Sequence, residues 1–195
     1  MPTGVALRDV RQQLFDAAER ILLRDGPNAL TSRAVTTEAD CAKGVLHRHF
    51  PDFDGFLAEF VLDRIARLKA QSQALLDRTG TGTVADNLVE ALYTVFESVA
   101  SSVLGLIIVR DDLRARLRRA GVVGIPMLGE ATAMLAAYLT AERDQGRIDA
   151  GTDPDMLALT LIGAGHMLFV DRQGIWPEAA TVHDFVRKVL AGWVR

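Results

Sequence analysis

One cysteine in 195 residues leaves no partner for an intramolecular disulfide, and that absence fits a reducing compartment, the cytoplasm. Aromatic residues make up only 6% of the chain. No run of alternating β-branched residues replaces them, so a core built on sheets is disfavoured. Positive charge is not in excess either. A formal net charge of −3 excludes a polycation that coats nucleic acid, and any nucleic-acid binding must come from a local patch. The first residues, MPTGVALRDVRQQ, lack the charged start and apolar stretch of a secretory signal. The longest apolar run of note, Met156 to Val170, contains Thr160 and His166 and falls short of the roughly 20 residues that span a bilayer. No membrane partner is expected, and no internal repeat or low-complexity tract occurs.

What is present is Ala, Leu and Val at helical spacing, with 49% hydrophobic residues overall. That content is enough for one or two packed domains, and the spacing predicts an all-α protein of about nine helices. A first helix runs from about Arg8 to Arg24, where Val10, Leu14, Ala17, Ala18, Ile21 and Leu22 share a face and Asp25, Gly26 and Pro27 end it. A long helix from about Asp54 to Asp77 repeats Leu57, Val61, Ile65, Leu68 and Leu75. TGTGT at Thr79 to Thr83 then reads as a connection. It is no phosphate loop, because a preceding strand is missing. Leu88, Leu92, Val95, Phe96 and Val99 mark the next helix, followed by a short apolar segment, Val103 to Val109, and an arginine-rich helix near Asp112 to Arg119. Helices from about Pro126 to Gln145, Asp153 to Arg172 and Glu178 to Val194, the last including Trp193, complete the chain. The second of these is apolar nearly all round, with Gly163, Ala164 and Gly165 suited to close contact with a second subunit.

The most informative stretch is LTSRAVTTEADCAKGVLHRHFPDFDGFL, Leu30 to Leu57. Thr31 is placed to cap a short helix whose Ala34, Val35 and Ala39 face inward. A turn at Asp40 and Cys41 leads to a second short helix, Ala42 to His49, presenting Lys43, Val45, His47 and Arg48. Ala42 and Gly44 are small, as close approach to a major groove requires, and Phe50 closes the unit. Between Asn28 and Phe50, Arg33, Lys43 and Arg48 exceed Glu38 and Asp40 by a single positive charge, a thin surface that suits two copies acting together.

This layout resembles the tetracycline-repressor (TetR) family of transcription regulators. AD-C-A-K-G-V-L-H-R-H-F is similar to that family's G-V-S-x-G-x-L-Y-x-H-F signature. Asp40 stands where the family has a turn glycine, Cys41 for Val or Ile, Ala42 for a capping Ser or Thr, and His47 for Tyr. Phe53 replaces the lysine that opens the fourth helix and meets a phosphate. The resemblance implies a helix-turn-helix DNA-binding domain over residues 1–52 and a helical ligand-binding and dimerisation domain over 53–195. The DNA-contacting set is then Thr31, Ser32, Arg33, Ala42, Lys43, Gly44, Val45, His47, Arg48 and His49. The last two helices would pair with those of a second subunit. The central helices would enclose a small-molecule effector, with Tyr93, Phe96, Arg110, Met127, Met134, Tyr138, His166 and Phe169 as candidate contacts, though core packing explains most of these equally well.

The expected function is a homodimeric, ligand-responsive regulator, a repressor released from a palindromic double-stranded operator by an effector. The alternative is a helical ligand-binding protein whose motif no longer reads DNA. No cofactor is called for. His47 and His49 point to different helix faces and make a poor metal pair, and His166 and His183 stand alone. Cys41, with no second cysteine or basic cluster, reads as a small apolar turn residue. No nucleophile and base are paired in the sequence, so an enzyme is not expected.

Overall fold

The computed structural model describes residues 4–96, 100–170 and 177–192. Val99, Arg172 and Trp193, assigned above to helices, lie outside the described residues. In chain order the elements are α1 (Gly4–Asp25), a 3-10 turn (Pro27–Ala29), α2 (Ser32–Glu38), α3 (Val45–His49), α4 (Phe53–Leu76), α5 (Val84–Phe96), α6 (Ala100–Val109), α7 (Asp111–Arg119), α8 (Leu128–Asp144), α9 (Pro154–Val170) and α10 (Ala179–Leu190). The all-α expectation holds, and no strand occurs among the described residues. Among the described residues there are ten α-helices instead of about nine, because the short apolar segment is itself helical. In α6, Val103, Leu106 and Ile107 recur at helical spacing and are buried, which one helical stripe against a core explains. Among the described residues no helix is long and apolar enough to cross a membrane.

The chain forms two compact units, one made of the residues up to Arg64 together with Ser102–Val123, the other of Ile65–Ser101 and the residues from Gly124 on. This division differs from the boundary expected after residue 52. The first unit takes in the start of α4 and most of α6 and α7, for reasons visible in its side chains. Phe15, Phe50, Phe56 and Phe60 are buried together, with Phe50 set edge-on to Phe56 at a centroid distance of 5.1 Å. Leu113 and Leu117 of α7 are buried as well. Asp52 and Asp54, at the start of α4, pair at 2.6 Å with Arg116 and Arg110. Arg64, buried to 3% exposure, is held by Asp16 at 3.4 Å, Glu19 at 3.2 Å and Asp63 at 3.2 Å, and its guanidinium lies 4.9 Å from the Phe60 ring centroid.

The second unit packs α5, α8, α9 and α10 around Leu88, Leu92, Val95, Leu135, Leu139, Leu161, Val182 and Val186. Inside it lies a paired polar cluster. Asn87 donates to the Tyr138 hydroxyl at 2.8 Å and to the Thr81 carbonyl at 2.9 Å. Tyr138 and the fully buried Glu142 share a hydrogen bond, and burial together with that carboxylate pushes the phenol's pKa well up, so the hydroxyl stays protonated. Arg147 pairs with Glu142 at 3.0 Å, while the Gly80 N–H donates to the same carboxylate at 3.3 Å. The TGTGT connection is thereby tied to the end of α8.

Candidate nucleic-acid interface and ligand cavity

The helix-turn-helix is assembled from local hydrogen bonds. The Thr31 Oγ1 accepts from the Ala34 N–H at 3.1 Å, the cap expected for α2. Ser32 is half-buried, and its carbonyl accepts from the Thr36 hydroxyl at 3.0 Å. Two bonds close the other end of α2, Asp40 N–H to the Thr37 carbonyl at 3.1 Å and Cys41 N–H to the Thr36 carbonyl at 2.9 Å. This is a Schellman closure, and it places Asp40 in the left-handed region at φ 51. Glycine enters that region freely, whereas an aspartate is strained there.

The second helix starts later than expected. Ala42, Lys43 and Gly44 form a turn closed by the Val45 N–H on the Ala42 carbonyl at 2.8 Å, and α3 spans only Val45–His49. Ala42 has no side-chain oxygen to cap a first turn, and Gly44 has the highest backbone entropy to lose, so helix over 42–44 is not supported. Leu46 and Phe50 are buried and anchor α3, with the Phe50 N–H donating to the Leu46 carbonyl at 2.9 Å. Arg11 of α1 donates to the His49 carbonyl at 3.1 Å and lies 4.3 Å from the Phe50 ring centroid. Gln13 donates to the Ala39 carbonyl at 2.7 Å. The motif is therefore braced on α1. Outward, Thr31, Arg33, Ala42, Lys43, Gly44, His47 and Arg48 are exposed, while Val45 and His49 are half-buried.

Charge in this unit is sorted. Arg20 and Arg24 both bind Glu38, at 2.8 and 3.1 Å, and hold its carboxyl below the usual range. Arg11 pairs with Glu59. Asp52 caps α4 through the Gly55 N–H at 2.7 Å, and that bond, with Arg116 beside it, lowers its pKa. By contrast Arg33, Lys43 and Arg48 enter no ion pair among the described residues. Most carboxylates of the unit are neutralised by cations on the supporting helices, and the cations left over lie on the helix-turn-helix and in the last turn of α7.

Residues 14–60 match the sequence model of a family described as bacterial regulatory proteins, tetR family. Over these residues the chain is similar to the DNA-binding domain of the TetR family. Its amino-terminal unit is a DNA-binding helix-turn-helix domain. No curated protein matches the chain. Solved structures share its fold at low identity. A TetR-family transcriptional regulator from Agrobacterium tumefaciens is 15% identical with a TM-score of 0.73, covering 96% of this chain and 99% of its own. A regulator from Saccharomonospora viridis in complex with choline is 15% identical with a TM-score of 0.68, covering 96% and 99%. FadR from Bacillus subtilis in complex with stearoyl-CoA is 15% identical with a TM-score of 0.60, covering 93% and 98%. Choline and stearoyl-CoA have little chemistry in common, so the fold alone selects no ligand.

Within the second unit, a cavity of about 330 Å³ opens among α4, α5 and α8. Gln71 and Leu75 line it from α4, Asn87, Ala91 and Thr94 from α5, and Met134 from α8, with the ion-paired Arg78 and Glu90 also at its wall. Of the eight residues singled out as ligand contacts, Met134 alone lies there. Tyr93, Phe96, His166 and Phe169 form a separate aromatic group, in which Phe96 stacks on Phe169 at 4.8 Å and the Tyr93 hydroxyl donates to the Pro177 carbonyl at 2.9 Å. Tyr138 is fully buried and committed to Asn87 and Glu142. Met127 is buried at the start of α8, its N–H donating to Glu130 at 2.7 Å. Arg110, expected to meet an anionic ligand, belongs to the first unit and is taken by Asp54.

Gln71, Arg78, Asn87, Glu90 and Thr94 escaped the sequence reading. A signal existed for one of them, since Asn87 interrupts the apolar stripe Val84, Leu88, Ala91, Leu92, Val95, and a buried amide there demands partners. Gly165 also corrects an expectation. A Cβ at that position would lie 2.9 Å from the Phe96 ring, so this glycine serves packing inside the chain, while Gly163 and Ala164 stay exposed. Among the described residues no group of three or more His, Cys, Asp or Glu could hold a metal ion.

Proposed function

We propose that the protein is a homodimeric transcriptional repressor that binds a palindromic operator through α3 and the turn before it and is released by a small-molecule effector. The observation that carries this reading is the sorting of charge, in which the exposed Arg33, Lys43 and Arg48 are left without acid partners on a braced helix-turn-helix. Lys43 and Gly44 meet DNA from the turn, His47 and Arg48 from the helix, and Arg33 and Ser32 from α2. One helix of five residues reads too few base pairs for useful specificity, and a two-fold pair of them reads two half-sites. A self-complementary face is available for that pairing. Met156, Leu159 and Met167 of α9 are 57%, 55% and 68% exposed, with Gly163 and Ala164 between them at helical spacing.

The effector occupies the cavity of the second unit. Both Asn87 amide N–H groups are taken, and its Oδ1 accepts from no described residue, so a ligand with a hydrogen-bond donor and an apolar body fits. Release follows only from a difference in effector affinity between the DNA-binding conformer and another. Operator selection from a random-sequence pool, then fluorescence anisotropy against scrambled DNA across salt concentrations, tests the reading. Selective, salt-sensitive binding by a dimer supports it. A salt slope near zero with no selected sequence favours the alternative motivated by the missing cap at Ala42, the missing lysine at Phe53 and the thin positive charge, a ligand-binding protein that does not read DNA.

A further inference from the structure

We propose that the last turn of α7 is a second DNA-backbone contact, in which Arg118 and Arg119 grip phosphates beside the half-site read by α3. The inference rests on the DNA-binding reading above and concerns a helix that the family match does not include.

Three observations carry it. First, α7 belongs to the same compact unit as the helix-turn-helix and is fastened to one corner of it. Its buried Leu113 and Leu117 face the core, and Arg116 reaches Asp52 at 2.6 Å. Asp52 lies three residues beyond the end of α3, where the chain passes from the recognition helix into α4. A Cβ on Gly55 would lie 3.4 Å from the Arg116 guanidinium, so the arginine is laid directly along the first turn of α4.

Second, the charge sorting extends to α7. Arg110 is taken by Asp54, Arg114 by Asp111 and Arg116 by Asp52. Arg118 and Arg119 are exposed and enter no ion pair among the described residues. In the first unit they share that condition with Arg33, Lys43 and Arg48 alone, among residues with described side chains. Arg119 lies three residues after Arg116, one turn farther along the same stripe of the helix.

Third, the corner needs a cation from elsewhere. The first turn of α4 offers phosphate only Asp52, Phe53 and Asp54. With both carboxylates neutralised by α7, the two free arginines of that helix turn a repulsive corner into an attractive one. Stabilising the negative end of α7 is the competing explanation for cations there, and it makes a different prediction.

The test is DNA binding by the full chain, read by anisotropy on a mixed-sequence duplex and on a duplex selected by the parent, with melting followed by circular dichroism. Alanine at both positions (R118A with R119A) is expected to flatten the slope of log K against log salt by about 0.9 for each arginine that meets a phosphate. Selectivity between the two duplexes stays unchanged, and R118K with R119K restores the slope. A steep slope in the parent that the alanine pair leaves intact overturns the proposal, as does a loss that tracks only a lowered melting temperature. A flat slope in the parent, matched by K43A with R48A, removes the DNA-binding reading itself and this inference with it.

Discussion

The two compact units place their polar groups in opposite ways. In the first, most carboxylates are matched by arginines of the supporting helices, and surplus cations stand exposed on the helix-turn-helix and at the end of α7. In the second, an amide, a phenol and a carboxylate are buried and joined in one network that ties a glycine-rich connection to α8. A surface that meets a polyanion needs unsatisfied charge facing water. In an interior an orphaned polar group costs its desolvation, a cost that pairing Asn87, Tyr138 and Glu142 with one another limits. The two demands are kept in separate units.

The contrast can be broken from either side, and the largest effect is expected in the aromatic core of the first unit. Phe56→Ala empties a site shared by Phe15, Phe50 and Phe60, and should cost about 4 kcal/mol in urea unfolding. Glu142→Ala strands Arg147 and removes an acceptor from Tyr138. A loss of about 3 kcal/mol is expected, with DNA binding by the remaining folded protein unchanged. A variant as stable as the parent would show that the network is dispensable.

Substitutions on the exposed charge should behave in the opposite sense. Lys43→Ala or Arg48→Ala is expected to weaken binding to a selected duplex about tenfold, with melting temperature and dimer mass unaffected. Should both bind as tightly as the parent, the assignment of α3 as the recognition helix fails. Thr31→Ala removes the cap of α2 and should cost about 1 kcal/mol. Asp40→Gly relieves a left-handed aspartate and is expected to add about 0.5 kcal/mol while tightening DNA binding, since an acid leaves the motif.

The smallest effect concerns pH. The folded-state pKa of Asp52 lies below its unfolded value, so its contribution is complete above the unfolded pKa, about 3.9, and is lost as pH falls through the folded one. Asp52→Asn should therefore shallow the acid limb of a stability profile and leave the neutral region nearly parallel to the parent.

Local chemistry was readable in advance. The cap at Thr31 and the turn at Asp40 follow from interactions within a few residues, so the helix-turn-helix is visible in Leu30 to Leu57. The start of α3 was placed three residues early, because an Ala-Lys-Gly start has helical periodicity without a cap to sustain it. Val103 to Val109 could not be typed, since a short apolar run fits helix or strand until a neighbouring core selects one. Tyr138 and Phe96 are candidate ligand contacts as apolar or amphipathic side chains on the central helices, and sequence does not distinguish a side chain facing a cavity from one facing the core.

By itself the sequence determined the helical class, the motif and which side chains carry charge, because periodicity, capping and turn conformation are settled within one or two helical turns. Tertiary structure alone decided which charges are cancelled. Asp52 meets Arg116 across 64 residues and Asn87 meets Tyr138 across 51. The free cations, the cavity and the exposed stripe of α9 are what those distant pairings leave over. Coulombic and hydrogen-bond partners are fixed by distance in space, which packing sets and sequence separation does not.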